Sequence, residues 1–338
     1  MKLKLSVLDQ SPIHDNKEAK SGLFDTIELA KLCEDLGYKR YWCAEHHDTP
    51  GYASSSPEIM VAAVASATSK IRVGSGGVML NHYSAYKVAE IFNTLTALHG
   101  SRIDLGIGRA NGANFLSARA LHNKNSDSYA QKANDLINYL NDTVPKNDYF
   151  HGVGISPKDV ESTPVYLLGS SDGSSALAAH LGASFCLALF IGTHERPIEI
   201  IENYKKQFKA SKTFNKPKPM IAVACICAPT KEEAIQIASS HTYWKVQAFR
   251  HTTRDGLHSP QEVEELYEEL SYDDKIYYHE TMKTMVLGTP KECKEKIENL
   301  AKEYGVDEVM LVNVTYSFED RKRSYKLLAK EFNLNKGE

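Results

Sequence analysis

Residues 23–44 read Leu23-Phe-Asp-Thr-Ile-Glu-Leu-Ala-Lys-Leu-Cys-Glu-Asp-Leu-Gly-Tyr-Lys-Arg-Tyr-Trp-Cys-Ala44, and this stretch decides the fold. Leu23, Phe24, Ile27, Leu29, Ala30, Leu32, Cys33 and Leu36 recur with a helical period, Gly37 stops the helix, and 40–44 is an apolar run of strand length. The same step recurs along the chain. Strand-length runs fall at 3–8, 40–44, 71–78, 103–107, 165–168, 184–189, 220–226 and 308–314. Helical periods fall at 23–36, 57–68, 85–98, 129–140, 174–181, 197–210, 231–240 and 290–304. Parallel strands need helical crossovers, so eight such steps predict an α/β fold of the (β/α)8 TIM-barrel type rather than an open doubly wound sheet.

The chain of 338 residues fits one large barrel, a single domain over 1–338. Two segments exceed the repeat: 110–164 after the fourth strand and the His- and Tyr-rich 241–289 after the seventh. Loops after barrel strands lie on the C-terminal face, which makes 241–289 a candidate lid, with surface decoration or an oligomer contact as the alternative.

A net charge of −3 without a strongly basic stretch gives no electrostatic reason to expect nucleic acid or an anionic membrane as partner. The N-terminal run carries an acid at Asp9 too early for a signal-peptide core, which places the protein in the cytoplasm. Six cysteines without a Cys-x-x-Cys are too sparse for a disulfide framework, and Cys225 and Cys227 read as small buried hydrophobes.

The chemically unusual residues collect just past strand ends: Asp9-Gln10, Glu45-His46-His47, the glycines of 74–77, Gly106-Ile-Gly108-Arg109 and Gly169-Ser170-Ser171. A ligand site at one end of a barrel requires that clustering. Neighbouring strand residues face opposite ways, so one of His46 and His47 suits acid–base work and the other a structural role, unless both cap the strand as a hydrogen-bonded pair. A metal site is disfavoured, because the first strand ends in Asp9-Gln10 without histidine. Glycines inside the run 71–80 mark either close approach of a flat ligand or tight packing against a neighbouring strand. Arg109 suits an anion or a polar ring edge, or else a surface ion pair. Ser170, Ser171, Ser174 and Ser175 surround a helix start, where free amides and the dipole favour phosphate; ordinary N-capping is the alternative, but it needs one hydroxyl where four are present.

Six segments together resemble the bacterial luciferase-like flavin monooxygenase superfamily, in particular its single-chain "group 1" oxidoreductases. They are Leu8-Asp-Gln-Ser-Pro12, Arg40-Tyr-Trp-Cys-Ala-Glu-His-His47, Ile71-Arg-Val-Gly-Ser-Gly-Gly-Val-Met-Leu80, Arg102-Ile-Asp-Leu-Gly-Ile-Gly-Arg-Ala110, Leu168-Gly-Ser-Ser171 and Arg321-Lys-Arg-Ser-Tyr325. The resemblance implies a TIM barrel that binds reduced FMN, or the related deazaflavin, at its C-terminal face. It implies His46 and Arg109 as catalytic residues. It also implies Glu45, Gly76, Gly77, Arg109, Ala110, Gly169, Ser170, Ser171 and Ser174 at the cofactor, with a non-prolyl cis peptide at Gly76-Gly77. A separate flavin reductase, O2, a small organic substrate and a homodimer complete the expectation. A non-catalytic flavin-binding barrel, a deazaflavin hydride-transfer enzyme and a metal-dependent barrel hydrolase are the competing readings.

Overall fold

The computed structural model describes residues 3–110, 112–113, 115–121, 128–251 and 255–335. Its strands are β1 (Lys4–Asp9), β2 (Arg40–Cys43), β3 (Arg72–Ser75), β4 (Val78–Met79), β5 (Ile103–Gly108), β6 (Val165–Gly169), β7 (Ser184–Ala188), β8 (Pro219–Cys227), β9 (Val286–Gly288) and β10 (Glu308–Val312). All their pairings are parallel. The order β10-β1-β2-β3-β5-β6-β7-β8 closes on itself because β10 also pairs with β8, Leu311 lying opposite both Val7 and Val223. Eight strands thus form the expected barrel.

The crossover helices are α1 (Ala19–Asp35), α2 (Pro57–Ala67), α3 (Ala85–His99), α4 (Phe115–Leu121), α5 (Tyr129–Asn141), α6 (Asp172–Leu181), α7 (Glu199–Gln207), α8 (Lys231–Val246), α9 (Pro260–Glu268), α10 (Tyr272–Lys283), α11 (Pro290–Glu303) and α12 (Phe318–Glu331). Alternation along β2 shows how the layers divide. Tyr41 and Cys43 join Leu29, Val61 and Val73 in the cluster between sheet and helices, whereas Trp42 packs with Leu8, Tyr166, Met220 and Met310 inside the barrel.

Three features depart from the sequence reading. The strand expected over 71–78 breaks at Ser75, where a cis Gly76-Gly77 peptide intervenes, and resumes as β4 beside β5. The insertion expected from 241 begins later, since α8 continues to Val246 with residues 241–246 all buried. A run of His, Thr, Tyr, Trp and Lys looks like surface until packing buries it. The remainder adds α9, α10 and the short β9 at the edge of β8. Helix α12 was not anticipated; it carries polar residues at most positions and buries a narrow face of Phe318, Arg321, Ser324, Tyr325, Leu328 and Ala329.

The N-terminal end of the barrel interior is closed by charge. Arg40 donates to Glu308 Oε1 at 2.5 Å, to Asp104 Oδ2 at 2.6 Å and to the Tyr166 hydroxyl at 2.9 Å. Arg72 reaches the other Asp104 oxygen at 2.6 Å, and Trp42 Nε1 shares Oδ2 at 3.0 Å. A basin of about 1330 Å³ opens below this network between residues that start the strands. It lies at the opposite end from the histidines.

Candidate active site

The site grows from the end of β2. Glu45 is fully buried and anchors the segment: His47 Nε2 meets its Oε1 at 2.7 Å, the Tyr83 hydroxyl donates to the same oxygen at 2.9 Å, and the Met79 amide donates to Oε2 at 2.8 Å. Glu45 therefore ties β2 to the backbone just past the cis peptide. The His47 amide also donates to the Gly112 carbonyl at 2.6 Å. His47 is thus held by hydrogen bonds on both ring and backbone.

His46 has a different environment. Its Nδ1 is buried without a hydrogen-bond partner among the described residues, and its ring lies 4.7 Å from that of Tyr52. Burial, and then the neighbouring His47, push its pKa down to about 4. The imidazole is neutral near pH 7, with a ring nitrogen open to a ligand. Gln10, one strand away, likewise has a buried and unpartnered Oε1.

Above these residues, the chain after the seventh barrel strand covers the mouth. Trp244 Nε1 donates to the Pro50 carbonyl at 2.9 Å, and its ring stands 4.8 Å from Tyr52. Leu257 and Trp244 join Tyr52 in the same apolar cluster as Leu8 and Trp42, so the barrel interior and its cover form one packed unit. The Tyr52 hydroxyl meets His241 Nε2 at 3.0 Å, and burial, with Lys245 and His46 nearby, holds the His241 pKa well below the usual value. Neutral His241 and the Tyr52 phenol therefore share one hydrogen bond between uncharged groups. Sequence reading missed Tyr52, His241, Trp244 and Lys245. Their signal was the continuity of α8, which the polar residue types concealed.

The glycines of this run are held by close packing against neighbouring strands and side chains. A Cβ on Gly106 would stand 2.2 Å from the Ser75 carbonyl oxygen, and one on Gly77 2.8 Å from that of Gly106, so backbone packing excludes side chains there. A Cβ on Gly76 would meet Leu8 Cδ1 at 2.4 Å, toward the barrel interior. Arg109 and Ala110 follow β5 and are exposed. The Arg109 carbonyl accepts from Asn81 at 3.2 Å, and its side-chain charge offsets part of the burial effect on Tyr129.

On the neighbouring strand, Gly169 lets Ser174 approach, since a Cβ would stand 2.3 Å from that of Ser174. Ser171 is the N-cap residue of α6, yet its side chain makes no capping bond; instead its hydroxyl lies 3.1 Å from that of Ser174. Two hydroxyls and the amide end of a helix thus face outward together with Ser170 close by. Among the described residues no group of three or more His, Cys, Asp or Glu is arranged for a metal ion.

Residues 1–308 match the family description "luciferase-like monooxygenase". The chain belongs to that family. Within this luciferase-like family, it is 38% identical to the uncharacterized protein YwcH of Bacillus subtilis over 98% of this chain and 99% of that one. It is 33% identical to the N-acetyl-S-alkylcysteine monooxygenase of the same organism, over 97% of each. The solved structure of apo-MsnO8 superposes with a TM-score of 0.86 at 33% identity, covering 98% of each chain. The same barrel recurs at 16% identity in the FMN complex of the oxygenating constituent of 3,6-diketocamphane monooxygenase from Pseudomonas putida, covering 98% of this chain and 97% of that one (TM-score 0.71). At that identity the likeness concerns the fold.

Proposed function

We propose that this protein is the oxygenating component of a two-component flavin monooxygenase, taking reduced FMN from a separate reductase and transferring one atom of O2 to a small organic substrate. The observation that carries this reading is His46: a neutral imidazole with an open, buried Nδ1 at the C-terminal end of the barrel, under a cover of Trp244 and Leu257. The residues present suit a flavin. Ser170, Ser171 and Ser174 at the start of α6 would hold its phosphate, with Arg109 beside it. The backbone at Gly76 and Gly77 would lie against the flat ring, and Glu45 fixes the segment behind it through Met79. Bound reduced flavin supplies the electrons that activate O2.

The remaining work belongs to the chain. His46 Nδ1 exchanges a hydrogen bond or proton with the reacting molecule, and the packed cover keeps water away while charge develops. The protein acts in the cytoplasm as a homodimer; Phe24 on α1 and Ile59 on α2, 69% and 64% exposed, suit an interface between copies. No helix of the described residues is long and apolar enough to cross a membrane.

An anaerobic titration with photoreduced FMN, followed by mixing with oxygenated buffer and a screen beginning with N-acetyl-S-alkylcysteines, tests the proposal. Saturable binding of about one flavin per chain and an oxygenated product are expected. Binding with peroxide as the sole oxygen product across the screen would favour a non-catalytic flavin carrier, and tight binding of a deazaflavin in place of FMN would favour hydride transfer.

A further inference from the structure

Lys245 is the unusual cation of the covered mouth. It is 6% exposed, one helical turn after His241 on α8, and its Nζ donates to the Phe190 carbonyl at 2.8 Å, just beyond the end of β7. That bond uses one of three ammonium donors. No described carboxylate pairs with it, and burial alone lowers its pKa to about 8, so it is still mainly protonated at pH 7. A buried ammonium without a counter-ion is costly, and an anion brought beside it offsets part of that cost.

The surroundings narrow the ligand. Lys245 adjoins His241, which shares a hydrogen bond with Tyr52, which in turn packs on His46. These groups are neutral. The cover thus presents one positive charge in otherwise neutral, aromatic surroundings, within the same packed region as the open His46 Nδ1. Two remaining N–H donors match two carboxylate oxygens. A phosphate dianion asks for more donors, and the serine turn at α6 offers them separately.

We propose that Lys245 is the receptor for a carboxylate of the oxygenated substrate, holding that end of the molecule beneath α8 while its oxidisable atom lies toward His46. The proposal rests on the oxygenase reading above. Charged groups on the neighbouring elements are engaged elsewhere: Glu264 of α9 with Gln236 at 3.4 Å, and Asp274 of α10 with Arg250 at 2.5 Å. Tyr278 of α10 is also buried and neutral near pH 7. His241 and His46, both held below their usual pKa, and Tyr52, pushed above its own, keep one protonation state between pH 7 and 9.5, so Lys245 is the member of this cluster that titrates there.

The test is calorimetric, with N-acetyl-S-methylcysteine and benzoate compared with their carboxamides, on wild type, Lys245→Met and Lys245→Arg, with and without FMN. Wild type is expected to prefer each carboxylate at least about tenfold, Lys245→Met to lose the preference, and Lys245→Arg to keep part of it. Carboxylate affinity in the wild type should fall between pH 7 and 9.5, with carboxamide affinity unchanged, which needs no variant to fold. Equal preference in Lys245→Met, or no preference in wild type, overturns the proposal. A Lys245→Met protein that loses FMN relative to riboflavin but keeps carboxylate binding assigns the charge to the flavin phosphate and overturns it also. Carboxylate preference that depends on Lys245 in a protein that binds no flavin would leave the receptor standing and remove the oxygenase reading instead.

Discussion

At the scale of single residues, two adjacent histidines sit in opposite surroundings because their partners differ. His47 is locked by Glu45 and by the Gly112 carbonyl, whereas His46 keeps an open nitrogen. Replacing His46 with Ala is therefore expected to leave FMN affinity nearly unchanged and to lower turnover on the order of 100-fold, measured as product per flavin oxidised. Loss of the folded state in circular dichroism would instead make it a structural residue. The serine turn gives a second expectation. Ser170→Ala with Ser171→Ala should weaken FMN about tenfold and riboflavin hardly at all; equal weakening of the two in equilibrium titrations would remove the phosphate role. The histidine pair and the serines were legible from residue type and place at strand ends. The resemblance pointed to His46, but which ring nitrogen stays without a partner was not legible, since it depends on how Glu45, Gly112 and Tyr83 meet in space.

At the scale of elements, the decisive piece is the end of α8. Its residues His241, Tyr243, Trp244 and Lys245 would be solvated on an ordinary amphipathic helix, but here α9, α10 and the loop at Pro50–Tyr52 enclose them. The sequence reading ended the helix at 240 and treated what followed as an insertion, because polarity outweighed periodicity. The expectation for the cover follows from its contacts. Trp244→Ala removes the indole that spans from Pro50 to Tyr52, and the fraction of O2 released as hydrogen peroxide should rise severalfold while FMN affinity is kept. Unchanged coupling, measured as product against peroxide, would mean that 241–289 is decoration. The strand at 71–80 makes a related point. Its glycines predicted a departure from regular strand geometry, and the packing of Gly77 on Gly106 and of Gly106 on Ser75 shows how close the backbones come.

At the scale of the molecule, charge and chemistry occupy opposite ends of one barrel. The network of Arg40, Asp104, Glu308 and Arg72 fills the N-terminal end, far from His46. Arg40→Met leaves two carboxylates with fewer partners and should cost about 3 kcal/mol in urea unfolding without changing flavin affinity. A matching loss of flavin binding in the folded variant would show that the two ends are coupled. Stability should also depend on acid through the buried histidines. His46 titrates near 4 when folded, and His241 well below 6.5, against about 6.5 unfolded, so between pH 6.5 and 4 the unfolded chain takes up protons that the folded chain refuses. Their contribution is present in full above pH 6.5 and is lost as pH falls toward 4. The urea midpoint is expected to drop between pH 7 and 5, less steeply in His46→Gln; an identical slope in that variant would contradict the assignment.

The alternation of strand and helix, the stops at glycine and the collection of Glu45, His46, Arg109 and the serines at strand ends are local properties, and the chain alone determined the barrel and the end at which these candidate residues gather. What the tertiary structure decided is the burial of polar groups: the neutral His46 with an open nitrogen, the Tyr52–His241 pair, and Lys245 beneath the cover. Burial depends on which elements meet in space, and a desolvated lysine reads in sequence like a solvated one.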